Sequence, residues 1–151
     1  MGEAEGGFLD GYGKTVSRRL KIMNEWLLKM KQLPMFFSKG PVDESAIKES
    51  EKEIGMTFAP EYHEYVKAYG FVTYLGHELT GICKAARLNV AAVTLEEREN
   101  HPAVLKNVYV IEQTHIDDII IWQDGSGRVY QTEGQNKLKK IADSLKEYLK
   151  I

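Results

Sequence analysis

Residues 43–70 read DESAIKESEKEIGMTFAPEYHEYVKAYG, and this stretch decides the fold because it contains four signals for helix ends. Asp43 is a residue type that favours the N-cap of a helix, and Gly55 suits the position just after a helix C-terminus. Pro60 suits the first turn of a helix, and Gly70 again favours a helix end. The stretch therefore predicts a helix, a short link and a second helix.

Both predicted helices carry an apolar stripe. Ile47 and Ile54 lie seven residues apart on one face of the first helix. The stripe of the second helix is spaced i, i+3, i+4 and i+7 and consists of Tyr62, Tyr65, Val66 and Tyr69. A stripe at this spacing usually packs against a hydrophobic core. The three tyrosines could instead line a groove for a ligand, and the sequence leaves that alternative open.

Two segments precede this pair of helices. Residues 1–13 are rich in glycine and acidic residues, which predicts a flexible arm. Residues 14–40 predict an N-terminal helix and a connector, with Pro34 ending the helix. The apolar residues at helical spacing in this segment are Val16, Leu20, Met23, Leu27 and Met30.

The residues after Gly70 favour β-strands. Predicted strands lie at 71–75, 78–82, 108–111, 119–122 and 128–131. The run at 119–122 is continuously apolar, which predicts a central strand, and the sequence DGSG at 124–127 predicts a hairpin turn. Asn89 is expected to cap a short helix between these strands. A closing helix is predicted to present one apolar face, formed by Leu138, Ile141, Leu145, Tyr148 and Leu149.

The order of the elements predicts an α+β fold. Helices come first, strands follow and a helix closes the chain, without the regular βαβ alternation of parallel sheets. We expect a mostly antiparallel sheet packed against helices. A chain of 151 residues can bury a core of its own. We therefore expect one domain over residues 14–151, with its core at 41–151.

The charge of the chain is unevenly distributed. The net charge of −2 gives no overall field that would favour nucleic acid or a membrane surface. Residues 41–124, however, contain seven basic and fifteen acidic side chains, while the segments on either side are net basic. An acidic middle suits attraction to a basic partner. An ordinary solvated surface would produce the same composition.

The densest acidic cluster lies in the predicted middle helix and in a loop that follows it. We name Glu96, Glu97, Glu99, Asp117 and Asp118 the acidic patch and predict that they bind a partner. Complementary charge across an interface speeds association and makes it sensitive to salt. A solvated helix face is the alternative interpretation of the same residues.

The sequence contains no signature of a catalytic, metal or cofactor site. The four histidines, His63, His77, His101 and His115, do not have the spacing of metal ligands. Cys83 has Lys84 beside it but no local signature of a base or an oxyanion site. Gly125 and Gly127 lack the third glycine and the following helix of a phosphate-binding loop. We therefore expect no enzyme activity, no metal and no cofactor.

The location of the protein is predicted from signals that the sequence lacks. One cysteine cannot form an internal disulfide, and the N-terminal residues have no basic and apolar signal pattern. No apolar run approaches the roughly 18 residues that span a bilayer. These observations predict a cytoplasmic protein that binds neither membrane nor nucleic acid directly. They do not predict its oligomeric state.

Residues 41–151 resemble the SUKH superfamily, which includes fungal cell-wall-assembly regulators and many bacterial immunity proteins. Ile54-Gly55, Ala59-Pro60-Glu61-Tyr62 and Tyr69-Gly70 match the opening motifs of that family in order. Glu78–Ile82, the helix from Val90 and the hairpin at 118–130 match later ones. The sequence departs from the pattern at His115-Ile116-Asp117, where the family often has a glycine, and at Trp122-Gln123.

The resemblance implies an immunity protein that binds and neutralises the catalytic domain of a polymorphic toxin. Many such toxins are nucleases with basic clefts, which an acidic inhibitor surface would suit. Two other classes of function stay open. The fungal relatives imply a regulatory scaffold that binds a housekeeping protein, and the chain could also be a small ligand-binding protein or enzyme.

Overall fold

The structure of the protein, a computed structural model, describes residues 8–9, 15–16, 25–104 and 107–151. Five α-helices, one short 3-10 helix (Ala86–Leu88) and nine strands are described in these residues. The helices are α1 (25–30), α2 (Glu44–Ile54), α3 (Pro60–Tyr69), α4 (Val90–Asn100) and α5 (Leu145–Leu149). The strands are β1 (Phe8–Leu9), β2 (Thr15–Val16), β3 (Phe37–Ser38), β4 (Val72–Tyr74), β5 (His77–Glu78), β6 (Val108–Gln113), β7 (Ile119–Asp124), β8 (Val129–Glu133) and β9 (Lys139–Ala142).

The nine described strands pair with one another only in antiparallel fashion, which confirms the predicted α+β class. One sheet has the order β3-β4-β5 and the other β6-β7-β8-β9, while β1 and β2 form a separate pair. An antiparallel bridge between Leu79 and Glu112 connects β5 to β6, and the Thr80 N–H donates to the Ile111 carbonyl at 2.9 Å. The two larger sheets are therefore continuous through β5 and β6.

Strands β6 and β7 of the four-stranded sheet are buried on both faces. Alternate residues of β6 and β7 enter two different clusters, as the period of a strand requires. The main core contains Tyr109, Ile111 and Ile121 together with the apolar stripes of α2 and α3. The second cluster contains Val108, Val110, Ile120, Trp122, Val93 and Val104. The predicted central position of β7, between β6 and β8, is confirmed.

The helix ends predicted in residues 43–70 are confirmed. Gly55 follows α2 in the left-handed conformation at φ 74° and donates its N–H to the Glu51 carbonyl at 2.9 Å. Pro60 is the first residue of α3, and Gly70 follows its last turn. Asp43 occupies the N-cap of α2, but its side chain makes no capping hydrogen bond.

The closing helix is shorter than predicted. Lys139–Ala142 forms strand β9, paired with β8, and helix α5 covers only Leu145–Leu149. The placement of Leu138 and Ile141 on a helix is therefore wrong, while Leu145 and Leu149 are buried as expected. The spacing of these apolar residues fits a helix. However, residues 139–142 form their backbone hydrogen bonds with β8 instead. The helix begins only after Ser144, which is its N-cap.

The N-terminal predictions are only partly described. Leu27 and Met30 lie buried on α1, in agreement with the predicted stripe. Thr15–Val16 forms a strand, so the helix predicted from residue 14 does not include Val16. Leu20, Met23 and most of the predicted arm at 1–13 lie outside the described residues. No helix in the described part of the chain is long and apolar enough to cross a membrane.

Candidate protein-binding surface

The turns at one end of the joined sheets form a continuous rim. The turn between β4 and β5 and the segment after β6 lie at the same end, because the Leu79–Glu112 bridge is antiparallel. The start of β3 lies there too, since Phe37 is paired with Thr73. So does the β8–β9 turn, whose Gly134 N–H donates to the Asp118 carbonyl at 3.1 Å. We call residues 35–37, 75–76, 114–118 and 134–136 the loop end.

The β6–β7 loop, residues 114–118, has an unusual backbone. His115, Asp117 and Asp118 all adopt positive φ angles, of 59°, 52° and 56°. Left-handed backbone favours glycine, and this is the segment where the sequence lacks the glycine of the family pattern. The Thr114 hydroxyl donates to the Ile119 carbonyl at 2.8 Å and accepts from the Ile116 N–H at 3.2 Å. These bonds hold the loop in one conformation.

The structure exposes four of the five residues of the acidic patch. Glu96 and Glu99 are exposed on α4, and Asp117 and Asp118 are exposed in the β6–β7 loop. The two groups lie near each other, because Gln135 next to Gly134 donates to the Asn100 carbonyl at the end of α4, at 3.0 Å. The acidic patch is therefore divided between α4 and the loop end.

Glu97 does not belong to the exposed surface predicted for it. Its side chain is buried, accepts a hydrogen bond from the Gln113 amide at 2.6 Å, and lies 3.3 Å from Nδ1 of His101. One carboxylate of the acidic run in α4, that of Glu97, therefore points inward and connects the helix to β6 through Gln113. A buried charged group requires such partners.

A histidine, a glutamate and a tyrosine form a second polar cluster next to the loop end. The buried Glu112 carboxylate accepts from Nδ1 of His77 at 2.8 Å and from the Tyr148 hydroxyl at 2.6 Å. The His77 ring stacks on Tyr74 at 4.7 Å. Burial and the neighbouring Glu112 charge raise the pKa of Tyr148 and that of Tyr74, the latter to about 12. Both carboxylate oxygens have partners, so the cluster connects β5, β6 and α5.

The remaining histidines have separate environments. His63 lies 2.6 Å from the Glu44 carboxylate, and His101 is buried with its ring edge against Trp122. His115 is exposed in the β6–β7 loop. In the described ranges, no three His, Cys, Asp or Glu side chains are grouped to hold a metal ion.

Cys83 borders a shallow depression of about 390 Å³ between α2 and the segment after β5. Burial raises the pKa of the Cys83 thiol, and its Sγ donates weakly to the Ala85 carbonyl at 3.5 Å. A raised pKa lowers the thiolate fraction at neutral pH, so this thiol is a poor nucleophile.

The tyrosine stripe of α3 belongs to the core and not to a groove. Tyr62 and Tyr65 are completely buried, and the Tyr62 hydroxyl forms a 2.8 Å hydrogen bond with the Thr80 hydroxyl. The Tyr65 hydroxyl donates to the Thr80 carbonyl at 2.8 Å, and the Tyr69 hydroxyl donates to the Leu27 carbonyl at 2.5 Å. The predicted core position is confirmed.

Sequence reasoning missed four exposed apolar residues of the loop end. Met35, Phe37, Leu75 and Ile116 expose 78%, 58%, 58% and 63% of their surface. Leu75 precedes a glycine in a two-residue turn, where asparagine is more usual, so it carried a detectable signal. For Ile116 the only signal in the sequence was the absence of the glycine that the family often has in this loop.

Comparison with known proteins places this fold in a family. A family model, SUKH_5, described as SMI1-KNR4 cell-wall, matches residues 23–151, which is most of the chain. No curated protein matches it. The matched range contains the motifs of residues 43–70 and the whole loop end. The resemblance stated from the sequence is thus confirmed, and the chain belongs to the SMI1-KNR4 cell-wall family of the SUKH superfamily.

Proposed function

We propose that this protein is a non-catalytic immunity protein, which binds a toxin domain through the exposed part of the acidic patch and neutralises it. Membership of the SUKH superfamily supports an immunity or interaction module. The observation that carries the finer proposal is the exposure of Glu96, Glu99, Asp117 and Asp118 around one end of the molecule. Carboxylates in this arrangement attract the basic cleft of an enzyme that acts on an anionic substrate.

The conformation of the β6–β7 loop supports binding over catalysis. Asp117 and Asp118 lie on a backbone held by hydrogen bonds from Thr114 and Gly134. A surface that is already ordered before binding loses less entropy when the complex forms. The exposed carboxylates thus have the order that recognition requires, while Glu112 is occupied by His77 and Tyr148.

The test uses candidate toxin catalytic domains, beginning with any that a neighbouring reading frame encodes. Bacteria that produce the toxin domain are expected to grow when this protein is co-expressed, and the purified pair should bind more weakly as salt rises. Salt shortens the range of charge interactions from about 10 Å at 0.1 M to about 3 Å at 1 M. Absence of binding and of growth rescue would contradict the proposal.

Two matched double variants test whether the loop carboxylates of the acidic patch lie in the toxin interface. Asp117→Asn with Asp118→Asn removes two charges and keeps a residue type that tolerates positive φ. Glu49→Gln with Glu53→Gln removes two exposed charges from α2. The first double variant should slow association about tenfold at low salt, and the second should leave the rate unchanged. Equal rates for both variants would exclude the loop carboxylates from the interface.

A further inference from the structure

Backbone strain in this protein is concentrated where apolar side chains are exposed. In the described part of the chain, six non-glycine residues have positive φ angles. Five of them lie at the loop end, namely Met35, Leu75, His115, Asp117 and Asp118. Strained backbone that persists in a fold is often associated with function. The four exposed apolar side chains of the loop end, Met35, Phe37, Leu75 and Ile116, are in or beside the same turns.

The β4–β5 turn contains a residue type that its backbone conformation does not favour. Leu75 and Gly76 adopt φ angles of 43° and 82° between the paired residues Tyr74 and His77. Positive φ at both central positions is the type I′ hairpin turn, in which asparagine followed by glycine is the preferred pair. Leu75 instead places an apolar side chain, 58% exposed, at the position of the asparagine.

In the β6–β7 loop, non-glycine residues with positive φ angles likewise lie on both sides of Ile116. Glycine at positions 115, 117 and 118 would fit the left-handed backbone most easily, although histidine and aspartate tolerate it better than most residue types. The sequence has histidine and two aspartates there, and Ile116 projects from among them with 63% of its surface exposed. Folding does not require the apolar side chain of Ile116, since most of its surface is exposed, so this side chain is available for binding.

We propose that Leu75 and Ile116 together form the apolar centre of the interface, and that they insert into an apolar pocket rimmed by lysine or arginine on the toxin domain. This inference rests on the proposed function and specifies the chemistry of its partner. Apolar residues at the centre with charges around them are the usual anatomy of tight interfaces. Asp117 and Asp118 follow Ile116 directly in the chain and provide the complementary charge.

A second copy of this chain is a poorer occupant of the same surface. In a symmetric dimer through the loop end, Asp117 and Asp118 would face the same carboxylates of the other copy. Like charges brought together at an interface weaken association. Charge complementarity therefore favours a basic partner.

The experiment measures stability and affinity in the same variants. Leu75→Asn provides the preferred turn residue, so we expect a higher Tm, together with at least about tenfold weaker binding to the toxin domain. Ile116→Ser should weaken binding to a similar extent without lowering the Tm. Leu28→Gln is the matched control, because Leu28 on α1 is also 58% exposed. It should leave the affinity unchanged.

The outcomes separate this inference from the function on which it rests. If the wild-type protein does not bind the toxin domain, the proposed function fails. If it binds and both Leu75→Asn and Ile116→Ser bind equally well, only the apolar centre is wrong. A concentration-dependent dimer of the wild type that Leu75→Asn abolishes would assign the surface to a second copy and would also overturn the inference. A lower Tm for Leu75→Asn would contradict the turn argument.

Discussion

The Glu61 side chain on α3 and the Gln123 side chain on β7 are hydrogen-bonded at 2.8 Å, although 62 residues separate them in the sequence. The same Glu61 carboxylate oxygen accepts the Leu145 N–H at the start of α5. One carboxylate thus connects a helix of the N-terminal half, the central strand and the closing helix.

We expect Glu61→Ala to lower the free energy of unfolding by about 2 kcal/mol, because the Leu145 N–H and one of the two Gln123 amide hydrogens lose their acceptor. Glu61→Gln keeps an acceptor oxygen and should cost less. Urea denaturation of the two variants beside the wild type measures the difference. A Glu61→Ala variant as stable as the wild type would show that this contact contributes little.

The pH dependence of Glu61 has a definite sign. Burial raises the pKa of Glu61, and the hydrogen bonds from Leu145 and Gln123 oppose burial without cancelling it. The folded state therefore favours the protonated acid, so stability decreases as pH rises above the unfolded pKa of about 4.3 and levels off above the folded value. Glu61→Gln should remove this decrease in urea titrations between pH 4 and pH 7.

Asp124 should show the opposite dependence. Burial raises the pKa of Asp124, but hydrogen bonds from Ser126, Tyr130 and the Arg128 N–H outweigh burial and hold it below its usual value. Stability from this group is complete above the unfolded pKa of about 3.9 and is lost as pH falls through the folded pKa. Asp124→Asn should cost about 2 kcal/mol at pH 7 and flatten the acid limb of the stability curve.

Gly81 should not tolerate a methyl group. A Cβ at Gly81 would lie 1.8 Å from the Gly70 carbonyl oxygen, whereas a Cβ at Gly125 would have Thr57 O as its nearest contact at 3.4 Å. We expect Gly81→Ala to destabilise the protein by about 4 kcal/mol or more, and Gly125→Ala to fold normally. Circular dichroism melting of both variants makes the comparison. A folded Gly81→Ala variant with an unchanged Tm would contradict the packing described here.

Two helix caps provide a matched pair. The Asn89 side chain accepts the Ala92 N–H at 3.0 Å and donates to the Cys83 carbonyl at 2.8 Å, whereas the Asp43 side chain makes no capping bond. Asn89→Ala should therefore cost about 1 to 2 kcal/mol, and Asp43→Ala less than about 0.5 kcal/mol. Chemical denaturation measures the free energy of unfolding of both variants. A larger decrease for Asp43→Ala than for Asn89→Ala would contradict the capping roles given to these two residues.

The sequence predicted the helices and the hairpin well because their ends depend on local chemistry. Gly55, Pro60 and the turn after Asp124 each have a backbone requirement that their residue type meets. The closing helix was misjudged because residues 138–142 also fit a strand, and only pairing with β8 decides between the two.

The candidate surface was less predictable because it depends on distant contacts. Glu97 has the composition of a solvated helix face until Gln113, 16 residues later, is brought beside it. Leu75 and Ile116 are apolar, and an apolar residue type does not by itself show whether the side chain is exposed or buried. His115 and Asp117 have positive φ angles. Histidine and aspartate tolerate such angles better than most residue types, but they also occur in ordinary backbone, so their presence in the sequence does not predict a left-handed conformation.

The joining of two sheets through the Leu79–Glu112 bridge has an evolutionary consequence. All the turns of the loop end extend from one rigid platform, yet their outer residues contribute little to the core beneath. Point mutations there can accumulate and be selected without loss of the fold. A lineage of such proteins can therefore change what it recognises one residue at a time while its architecture stays the same.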